Sequence, residues 1–312
     1  MDEIASFARQ RIEKGSKSFA MAARLFDADM RASVYMLYAW CRRCDDEIDG
    51  QELGFAATGS APPIAARLAM IEEKTRAALA GEACEPEFVA LARVMRQHRI
   101  PDWLPFEHLA GFAMDAAATS YRSLDDTLKY CWHVAGAVGV MMAMVMGARG
   151  RDVLLRASDL GIAFQLTNIA RDVVADARSG RVYLPSDWLA AEALTPGDVG
   201  DPQNRAAVHR VTTRLLAEAD DYYGSATHGL AALPPRAAVA IGAARSVYRS
   251  IGCLVRRRGA AAWDARAIVG PAGKAGAVLS GAGLAAWSRI SASLRPAPER
   301  PGLYSPAALD RL

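Results

Sequence analysis

The sequence predicts an all-α fold, built as one large helical domain over residues 1–312. Apolar residues recur at spacings of three and four in nearly every segment between prolines and glycines, and these segments are rich in Ala, Leu, Met and Arg. This is the pattern of amphipathic helices. Alternating β-branched runs bounded by turns, which mark strands, are nearly missing. With 312 residues, of which 52% are hydrophobic, the chain can bury a large core.

Helices are predicted in order along the chain, with loops where proline and glycine concentrate. The first predicted helix is charged and amphipathic, without the apolar core of a signal peptide. The main predicted loops are 50–63 and 195–202, and residues 295–312 are predicted to form a disordered tail. The predicted helices are 2–13, 28–49, 64–80, 86–98, 105–120, 126–148, 151–177, 203–229, 235–258 and 273–294.

The longest apolar run, VAGAVGVMMAMVMGA (134–148), lies in the sixth predicted helix. A helix that spans a bilayer needs about 20 apolar residues. We therefore expect this run to form a helix that is buried on all sides, rather than a transmembrane segment. Its glycines and alanines offer the small side chains that the lining of an apolar pocket needs.

Composition excludes several classes of protein. The net charge of +3 is too small to indicate nucleic-acid binding. Five cysteines are few and odd in number, which argues against a disulfide framework and for a reducing compartment. Cys41 and Cys44 form a C-x-x-C pair, but no second pair completes a zinc site, so structural thiols are expected. We expect a cytoplasmic protein that at most rests on a membrane surface.

The helix 28–49 ends in a cluster of acidic residues, CRRCDDEIDGQ (41–51). Asp45 and Asp49 are four residues apart, so they share one helix face about 6 Å apart along the axis. A calcium-binding loop is excluded because Ala56 occupies its twelfth position, which must supply a bidentate Glu. The pair is therefore either a solvated surface or the binding site of a cation.

A second polar stripe favours the cation. In GIAFQLTNIARDVVADARSGRVYLP (161–185), the polar residues Gln165, Asn168, Asp172 and Asp176 follow one another at spacings of three, four and four. Asn and Asp are poor residues for a helix interior, and a solvated face would carry Lys and Glu instead. The stripe is therefore predicted to face a cleft.

Oxygen ligands on two helices, without His or Cys, suit Mg²⁺ or Mn²⁺. Mg²⁺ sites commonly use a few carboxylates, and water and substrate phosphate complete the coordination. Nearby arginines suit phosphate recognition; they are Arg42, Arg43, Arg171 and Arg181. An all-α protein with these groups and an apolar pocket would be a prenyl diphosphate enzyme.

The chain resembles the squalene/phytoene synthase family over nearly its whole length. The stretches that carry the resemblance are GSKSFAMAARLF (15–26), MLYAWCRRCDDEIDGQ (36–51), YCWHVAGAVG (130–139), the second acidic stretch, EADDYYGSATHGLAALP (218–234) and VYRSIG (247–252). They follow in the family's order, and their amino-acid sequences are most similar to those of bacterial phytoene synthases. The resemblance implies the isoprenoid synthase fold with a central cavity.

The resemblance also implies roles for individual residues. It implies metal ligands at Asp45, Asp49, Asn168, Asp172 and Asp176. It implies contacts to the substrate, direct or through metal, from Ser16, Ser18, Arg42, Gln165, Arg171, Tyr183 and Tyr248. It places Phe19, Tyr38 and Tyr130 along the reaction cavity, where they join the four aspartates as the catalytic set.

The reaction implied is the head-to-head condensation of two geranylgeranyl diphosphates, through prephytoene diphosphate, to 15-cis-phytoene. This is the first committed step of carotenoid biosynthesis. The resemblance implies Mg²⁺ or Mn²⁺ and no NADPH, and it leaves open whether ATP is an activator. The expected partners are prenyl diphosphates, a membrane in peripheral contact and downstream carotenoid enzymes, with no nucleic acid.

Two alternatives remain open from the sequence. A squalene or dehydrosqualene synthase would use the same metal and phosphate groups on the shorter farnesyl diphosphate, and squalene formation would need a nicotinamide reductant. A eukaryotic squalene synthase is disfavoured because no membrane anchor is expected after residue 295. The more remote alternative is a non-catalytic helical scaffold that binds metal, but a scaffold has no use for intact acidic residues in both motifs.

Overall fold

The computed structural model describes residues 3–15, 23–49, 51–52, 55–56, 62–83 and 85–312. The described residues form eleven α-helices and one short antiparallel pair of strands, β1 (Gln51–Glu52) and β2 (Phe55–Ala56). The helices are α1 (Glu3–Gly15), α2 (Ala28–Asp49), α3 (Ile64–Ala80), α4 (Pro86–His98), α5 (Leu104–Ala116), α6 (Leu124–Val145), α7 (Arg151–Arg178), α8 (Ser186–Ala191), α9 (Arg205–Gly229), α10 (Pro235–Arg258) and α11 (Pro271–Leu294).

The all-α prediction is confirmed, and each predicted helix is present with its ends within four residues of the predicted ones. The largest difference is at α5, which stops at Ala116 because the chain turns into the left-handed region at Ala118, with φ of 48°. Ser123 then starts α6 through a capping box, since its hydroxyl accepts from the backbone N–H of Asp126. The single helical turn α8 and the strand pair inside the predicted loop 50–63 were not predicted, because both are too short to show a periodicity.

Helix α7 lies at the centre of the packing, in contact with α6, α9 and α10, and α6 also packs against α2. Helices α6 and α7 touch backbone to backbone. A Cβ at Gly139 would lie 2.5 Å from the carbonyl oxygen of Ala157, and a Cβ at Gly161 would collide with the carbonyl of Ala135. Glycine is therefore needed at both positions for the two helices to approach this closely.

Helix α6 differs from the prediction in two ways. Residues Trp132–Gly136 form one π-helical turn inside it, a feature that is frequent at functional sites. The apolar run is also not buried on all sides, because a stripe at Val134, Val138 and Met142 stays half-buried. These side chains pack against the hydrophobic core and keep part of their surface accessible.

Within the part of the chain that the structure describes, two segments are long and apolar enough to cross a membrane when judged by length and composition alone. They are Leu124–Val145 and Pro235–Trp263, with 61% and 39% of their most apolar windows buried inside the molecule. Core helices of soluble proteins satisfy the same criterion, and the first segment is the buried helix α6.

The prediction of a disordered tail at 295–312 is wrong. Arg300 forms a bidentate ion pair with Asp159 of α7, which is completely buried, and its Nε donates to Oδ2 at 2.7 Å. The backbone N–H of Tyr304 donates to the phenol of Tyr222 at 2.9 Å, and Leu309 is fully buried. The tail is ordered because it supplies the counter-charge that the buried carboxylate of α7 needs.

A buried imidazole on α5 should make stability depend on pH. His108 is 3% exposed and packs against the rings of Trp40 and Phe112. Its Nδ1 donates to the carbonyl of His133 over 3.4 Å, and its Nε2 has no partner among the described residues. Burial lowers the pKa of His108 to about 4, so the folded protein keeps this ring neutral.

We expect this histidine to destabilise the fold as the pH falls. The unfolded chain takes up a proton near pH 6.5 and the folded protein only near pH 4, so stability falls between these values, by about 2 kcal/mol from pH 7 to pH 5. Urea denaturation of the wild type and His108→Phe at both pH values measures this contribution. The variant should lose less stability than the wild type on acidification; equal losses would contradict it.

Candidate functional site

The acidic end of α2 is partly neutralised from within the helix. Arg42 forms an ion pair with the buried Asp46 at 2.6 Å, and Arg43 pairs with Glu47 at 2.8 Å. The Nε–H of Arg42 is buried and has no hydrogen-bond partner among the described residues. A buried, unpaired donor on a cation is suited to an anionic ligand.

Tyr38 and Asp45 are half-buried on α2, on the same side as Arg42. Burial raises the pKa of Tyr38 to about 12, so the phenol stays protonated. The predicted site residues Ser16, Ser18 and Phe19, and the side chain of Asp49, lie outside the described residues. Their predicted roles remain predictions.

The polar stripe on α7 lies where the sequence predicts. Its members Gln165, Asn168, Asp172 and Asp176 are all half-buried, on a helix whose neighbouring residues Leu166, Ile169, Val173 and Val174 are at most 2% exposed. The Nδ2 of Asn168 donates to Gln165 Oε1 at 3.3 Å, whereas its Oδ1 is buried without a partner. An orphaned carbonyl oxygen beside carboxylates is suited to a cation.

The pKa values of the two aspartates of the stripe are shifted in opposite directions. Burial would raise the pKa of Asp172, but hydrogen bonds from Arg171 and Arg266 lower it overall. The Nε of Arg171 lies 2.9 Å from Asp172 Oδ1, and the Nη2 of Arg266 lies 3.0 Å from Oδ2. Burial and then the charge of Asp172 raise the pKa of Asp176 to about 6. Asp176 is therefore the carboxylate of the stripe that a bound cation would stabilise most.

Arg266 is a site residue that the sequence did not reveal. It lies in the segment between α10 and α11, 94 positions from Asp172, and no local pattern marks it. Tyr248 of α10 completes this corner, since its ring stacks on Phe164 of α7 at 4.1 Å between centroids. Burial raises the pKa of Tyr248, although the charges of Arg171 and Arg266 act to lower it.

A cluster of tyrosines surrounds a carboxylate between α5 and α6. The phenols of Tyr130 and Tyr183 donate to the two oxygens of Asp115, at 3.1 and 3.0 Å, and their rings stack at 4.5 Å. Tyr121 packs against both rings at 5.5 Å. Burial and the Asp115 charge raise the pKa of both hydrogen-bonded phenols. These tyrosines therefore stay neutral, with their rings held in fixed orientations.

The tyrosine cluster lies within electrostatic reach of the stripe on α7, because the charge of Asp115 adds to the effects of burial and of Asp172 that raise the pKa of Asp176. The sequence predicted Tyr130 and Tyr183 but not Asp115 or Tyr121. The sequence signal that could have identified Asp115 is a lone carboxylate in the apolar segment LAGFAMDAA (109–117). Charged side chains are almost never buried unless they are paired.

Removal of the Asp115 carboxylate should disturb both phenols. In Asp115→Ala two buried hydroxyls lose their acceptor, so we expect a loss of about 2 kcal/mol in the free energy of unfolding and about tenfold lower turnover. Asp115→Asn keeps one acceptor oxygen and should retain part of both. Thermal unfolding and product formation measure the two effects. An Asp115→Ala variant with the stability and turnover of the wild type would rule out a positioning role for this carboxylate.

The structure brings together three of the predicted groups: the stripe on α7, Tyr248 of α10 and the tyrosines of α6 and the turn before α8. Arg42 donates to Asp46 within α2. Among the described residues, no group of three or more His, Cys, Asp or Glu side chains is close enough to hold a metal ion. The donor set on α7 nevertheless fits Mg²⁺, which takes few protein oxygens and completes its shell with water and phosphate.

Comparison with known proteins gives a family match. The family model described as squalene/phytoene synthase matches residues 12–272. The chain is 52% identical over 281 residues to the 15-cis-phytoene synthase of Enterobacter agglomerans, which covers 90% of this chain and 95% of the relative. It is 48% identical over 292 residues to that of Paracoccus sp. (strain N81106 / MBIC 01143), covering 93% and 94% of the two chains.

Solved structures share the fold. A dehydrosqualene synthase in complex with a ligand superposes with a TM-score of 0.80 at 25% identity, over 93% of this chain and 98% of that chain. The squalene synthase HpnC from Alicyclobacillus acidocaldarius gives 0.73 at 23% identity, over 82% and 94% of the two chains. The second likeness concerns the fold alone.

Proposed function

Since the chain belongs to the squalene/phytoene synthase family, we propose that it is a prenyltransferase that joins two geranylgeranyl diphosphates head to head and forms 15-cis-phytoene. The observation that carries this function is the identity of 52% to a 15-cis-phytoene synthase, over nine tenths of the chain. The α7 stripe, with its unpaired Asn168 oxygen and flanking arginines, supplies the matching chemistry for a diphosphate group.

Mg²⁺ or Mn²⁺ is the cofactor we propose. Asn168, Asp172 and Asp176 would hold it on α7, and Asp45 and Asp49 on α2. When bound, the metal neutralises the diphosphate and so makes it a better leaving group.

Protein cations act on the same leaving group. Arg171 and Arg266 already lie on one carboxylate of the stripe, where their planar guanidinium groups can bind phosphate oxygens in pairs. The unpaired Nε–H of Arg42 and the amide of Gln165 offer further donors, and Ser16 and Ser18 are proposed to add hydroxyls.

The hydrocarbon ends of the substrates need a dry, non-nucleophilic surface, because water would quench an allylic cation. The buried rings of Tyr130 and Tyr183 present such faces, and Tyr38 and Phe19 are proposed to extend them. Aromatic faces stabilise a passing cation without attacking it. Because burial and the charge of Asp115 raise the pKa of Tyr130 and Tyr183, their phenols stay neutral and are weaker nucleophiles than phenolates.

The reaction then has two ionisations. The first substrate loses its diphosphate, the double bond of the second attacks the allylic cation, and loss of a proton closes the cyclopropane ring of the intermediate, prephytoene diphosphate. This intermediate loses its own diphosphate, rearranges and releases a proton, for which the departed diphosphate is the proposed base. The chain stabilises negative charge at the α7 end and excludes water at the other.

A dehydrosqualene synthase is the second candidate, because a structure with that name superposes with a TM-score of 0.80. The two activities share the diphosphate groups and differ in substrate length, which depends on side chains spread over several helices. We also propose a cytoplasmic protein that contacts membranes peripherally, and handover of product to downstream carotenoid enzymes.

The test is an incubation of the purified protein with equal concentrations of labelled geranylgeranyl and farnesyl diphosphates and Mg²⁺, with and without NADPH and ATP. We expect phytoene without NADPH, and comparison of the arms shows whether ATP activates. A preference for farnesyl diphosphate, with dehydrosqualene as the product or squalene appearing only with NADPH, would overturn the substrate assignment and leave the fold unaffected.

A further inference from the structure

Exposed apolar side chains are concentrated on one part of the surface. Among the described residues seven large apolar side chains are exposed, and six of them lie between Ile268 and Leu294. Leu279 and Leu294 are 77% and 78% exposed, more than any other large apolar side chain there. The six residues are Ile268, Val278, Leu279, Trp287, Ile290 and Leu294.

Most of these side chains share one face of α11. The opposite face holds the small buried residues Ala277, Gly281 and Ala285, and Gly281 packs directly on the backbone of α10. At about 100° per residue, Leu279 and Ile290 point away from that packed face. The outer face of α11 consists of Ala272, Gly276, Leu279, Gly283, Ala286, Trp287, Ile290 and Leu294, and it carries no charge.

A helix on the surface of a soluble protein normally turns charged and polar residues outward. Exposed apolar faces of this kind mark a surface that contacts another protein or a membrane. Among the described residues, no element covers the outer face of α11, since its large side chains remain exposed.

The charge around this face identifies the partner. Residues 222–298 contain ten Lys and Arg and one acidic residue, Asp264, whereas the rest of the chain has 27 basic and 33 acidic residues. Three of the ten, Arg249, Arg256 and Arg266, pair with Asp220 and Asp172 outside this range, and the other seven leave a basic excess on α10, α11 and their flanks. A second copy of the chain would bring two such positive surfaces together, which disfavours self-association through this face.

Several of these cations flank the outer face. The Nη2 of Arg289 donates to the carbonyl of Leu233 at 2.7 Å, which places the start of α10 beside the C-terminal half of α11. Arg236 and Arg295 are exposed at these two helix ends. The outer face of α11 is thus apolar, includes Trp287 and has cations at the neighbouring helix ends, which is the composition of a helix lying in a membrane interface.

We propose that the outer face of α11 docks the protein peripherally on anionic membrane surfaces. The apolar side chains enter the boundary between headgroups and acyl chains, and the flanking arginines contact anionic headgroups. Arg266, which contacts Asp172 of the candidate site, lies two residues before the exposed Ile268. If the proposed function holds, the site lies next to the bilayer from which its prenyl substrates come and into which its hydrocarbon product leaves.

The test is flotation of the purified full-length protein with vesicles of phosphatidylcholine alone or with about one quarter phosphatidylglycerol, without substrate. The wild type should float with the anionic vesicles, and salt at about 0.5 M should reduce this binding. The variant Leu279→Gln/Ile290→Gln/Leu294→Gln should bind the anionic vesicles about tenfold more weakly than the wild type, or more weakly still. The variant Arg236→Gln/Arg295→Gln should bind the anionic vesicles more weakly than the wild type, and its binding to vesicles of phosphatidylcholine alone should not change.

Leu312→Gln, the matched control at the remaining exposed large apolar residue, should float like the wild type. Circular dichroism of the triple variant should be unchanged. Flotation of the triple variant equal to the wild type, no flotation of the wild type, or flotation that resists salt and alkali would each overturn the proposal. So would a wild-type dimer that the triple variant converts to a monomer, because a second copy would then cover the face. Turnover of detergent-dispersed substrate, measured separately, reports on the proposed function alone.

Discussion

Replacement of Asp172 by Asn is expected to lower turnover about 10³-fold or more while the helical circular dichroism stays that of the wild type. The substitution keeps the shape of the side chain but removes the charge on which Arg171 and Arg266 converge. If this carboxylate is a ligand of the metal, Asn is a weaker donor and the departing diphosphate is less well neutralised. Asp45→Asn on α2 should have an effect of the same order.

The matched control is Asp221→Asn, which makes the same change at an exposed position on α9. It should keep wild-type turnover. Rates should be measured at limiting as well as saturating Mg²⁺, because a weakened metal site can be rescued by excess metal. Near-full activity of Asp172→Asn at limiting metal would show that the metal site is elsewhere.

The largest effect on stability is expected from Arg300→Ala. Asp159 is completely buried on α7 and accepts from Arg300 and from the hydroxyl of Ser225 at 2.6 Å. Without the guanidinium a buried carboxylate loses its main counter-charge, which typically costs about 3–5 kcal/mol. Urea denaturation at neutral pH should show this loss as a lower midpoint with an unchanged slope.

A second ion pair between the tail and α7 provides the control. Arg151 and Asp310 lie 2.5 Å apart, but both side chains are more than half exposed. Solvent screens such a pair, so Asp310→Asn should cost less than about 1 kcal/mol. Equal losses in the two variants would mean that burial of Asp159 is not what makes the tail important.

The helices and the α7 stripe could be predicted from the sequence because both depend on local periodicity. A spacing of three and four residues places Gln165, Asn168, Asp172 and Asp176 on one face, whatever the rest of the chain does. The poor helix propensity of Asn and Asp then indicated that this face serves a purpose. The same spacing argument paired Asp45 with Asp49 on α2, whereas the role of Tyr38 was implied by the resemblance to the family.

What the sequence could not predict depends on contacts between distant segments. Arg266 reaches Asp172 across 94 positions, and Arg300 reaches Asp159 across 141. Proline-rich residues after α11 have the composition of a loose tail, yet a buried carboxylate far away in the chain orders them. The acceptor role of Asp115 likewise depends on how α5 faces α6, and no local pattern encodes that.

The most direct test of the central claim measures release of inorganic diphosphate from geranylgeranyl diphosphate by the purified protein, first with a chelator and then with Mg²⁺ or Mn²⁺ restored. The claim is that the oxygens of α2 and α7 hold a prenyl diphosphate through a divalent cation. It predicts no release with the chelator, full release when either metal returns, and none from Asp172→Asn. Release at the same rate in the presence of the chelator would contradict it.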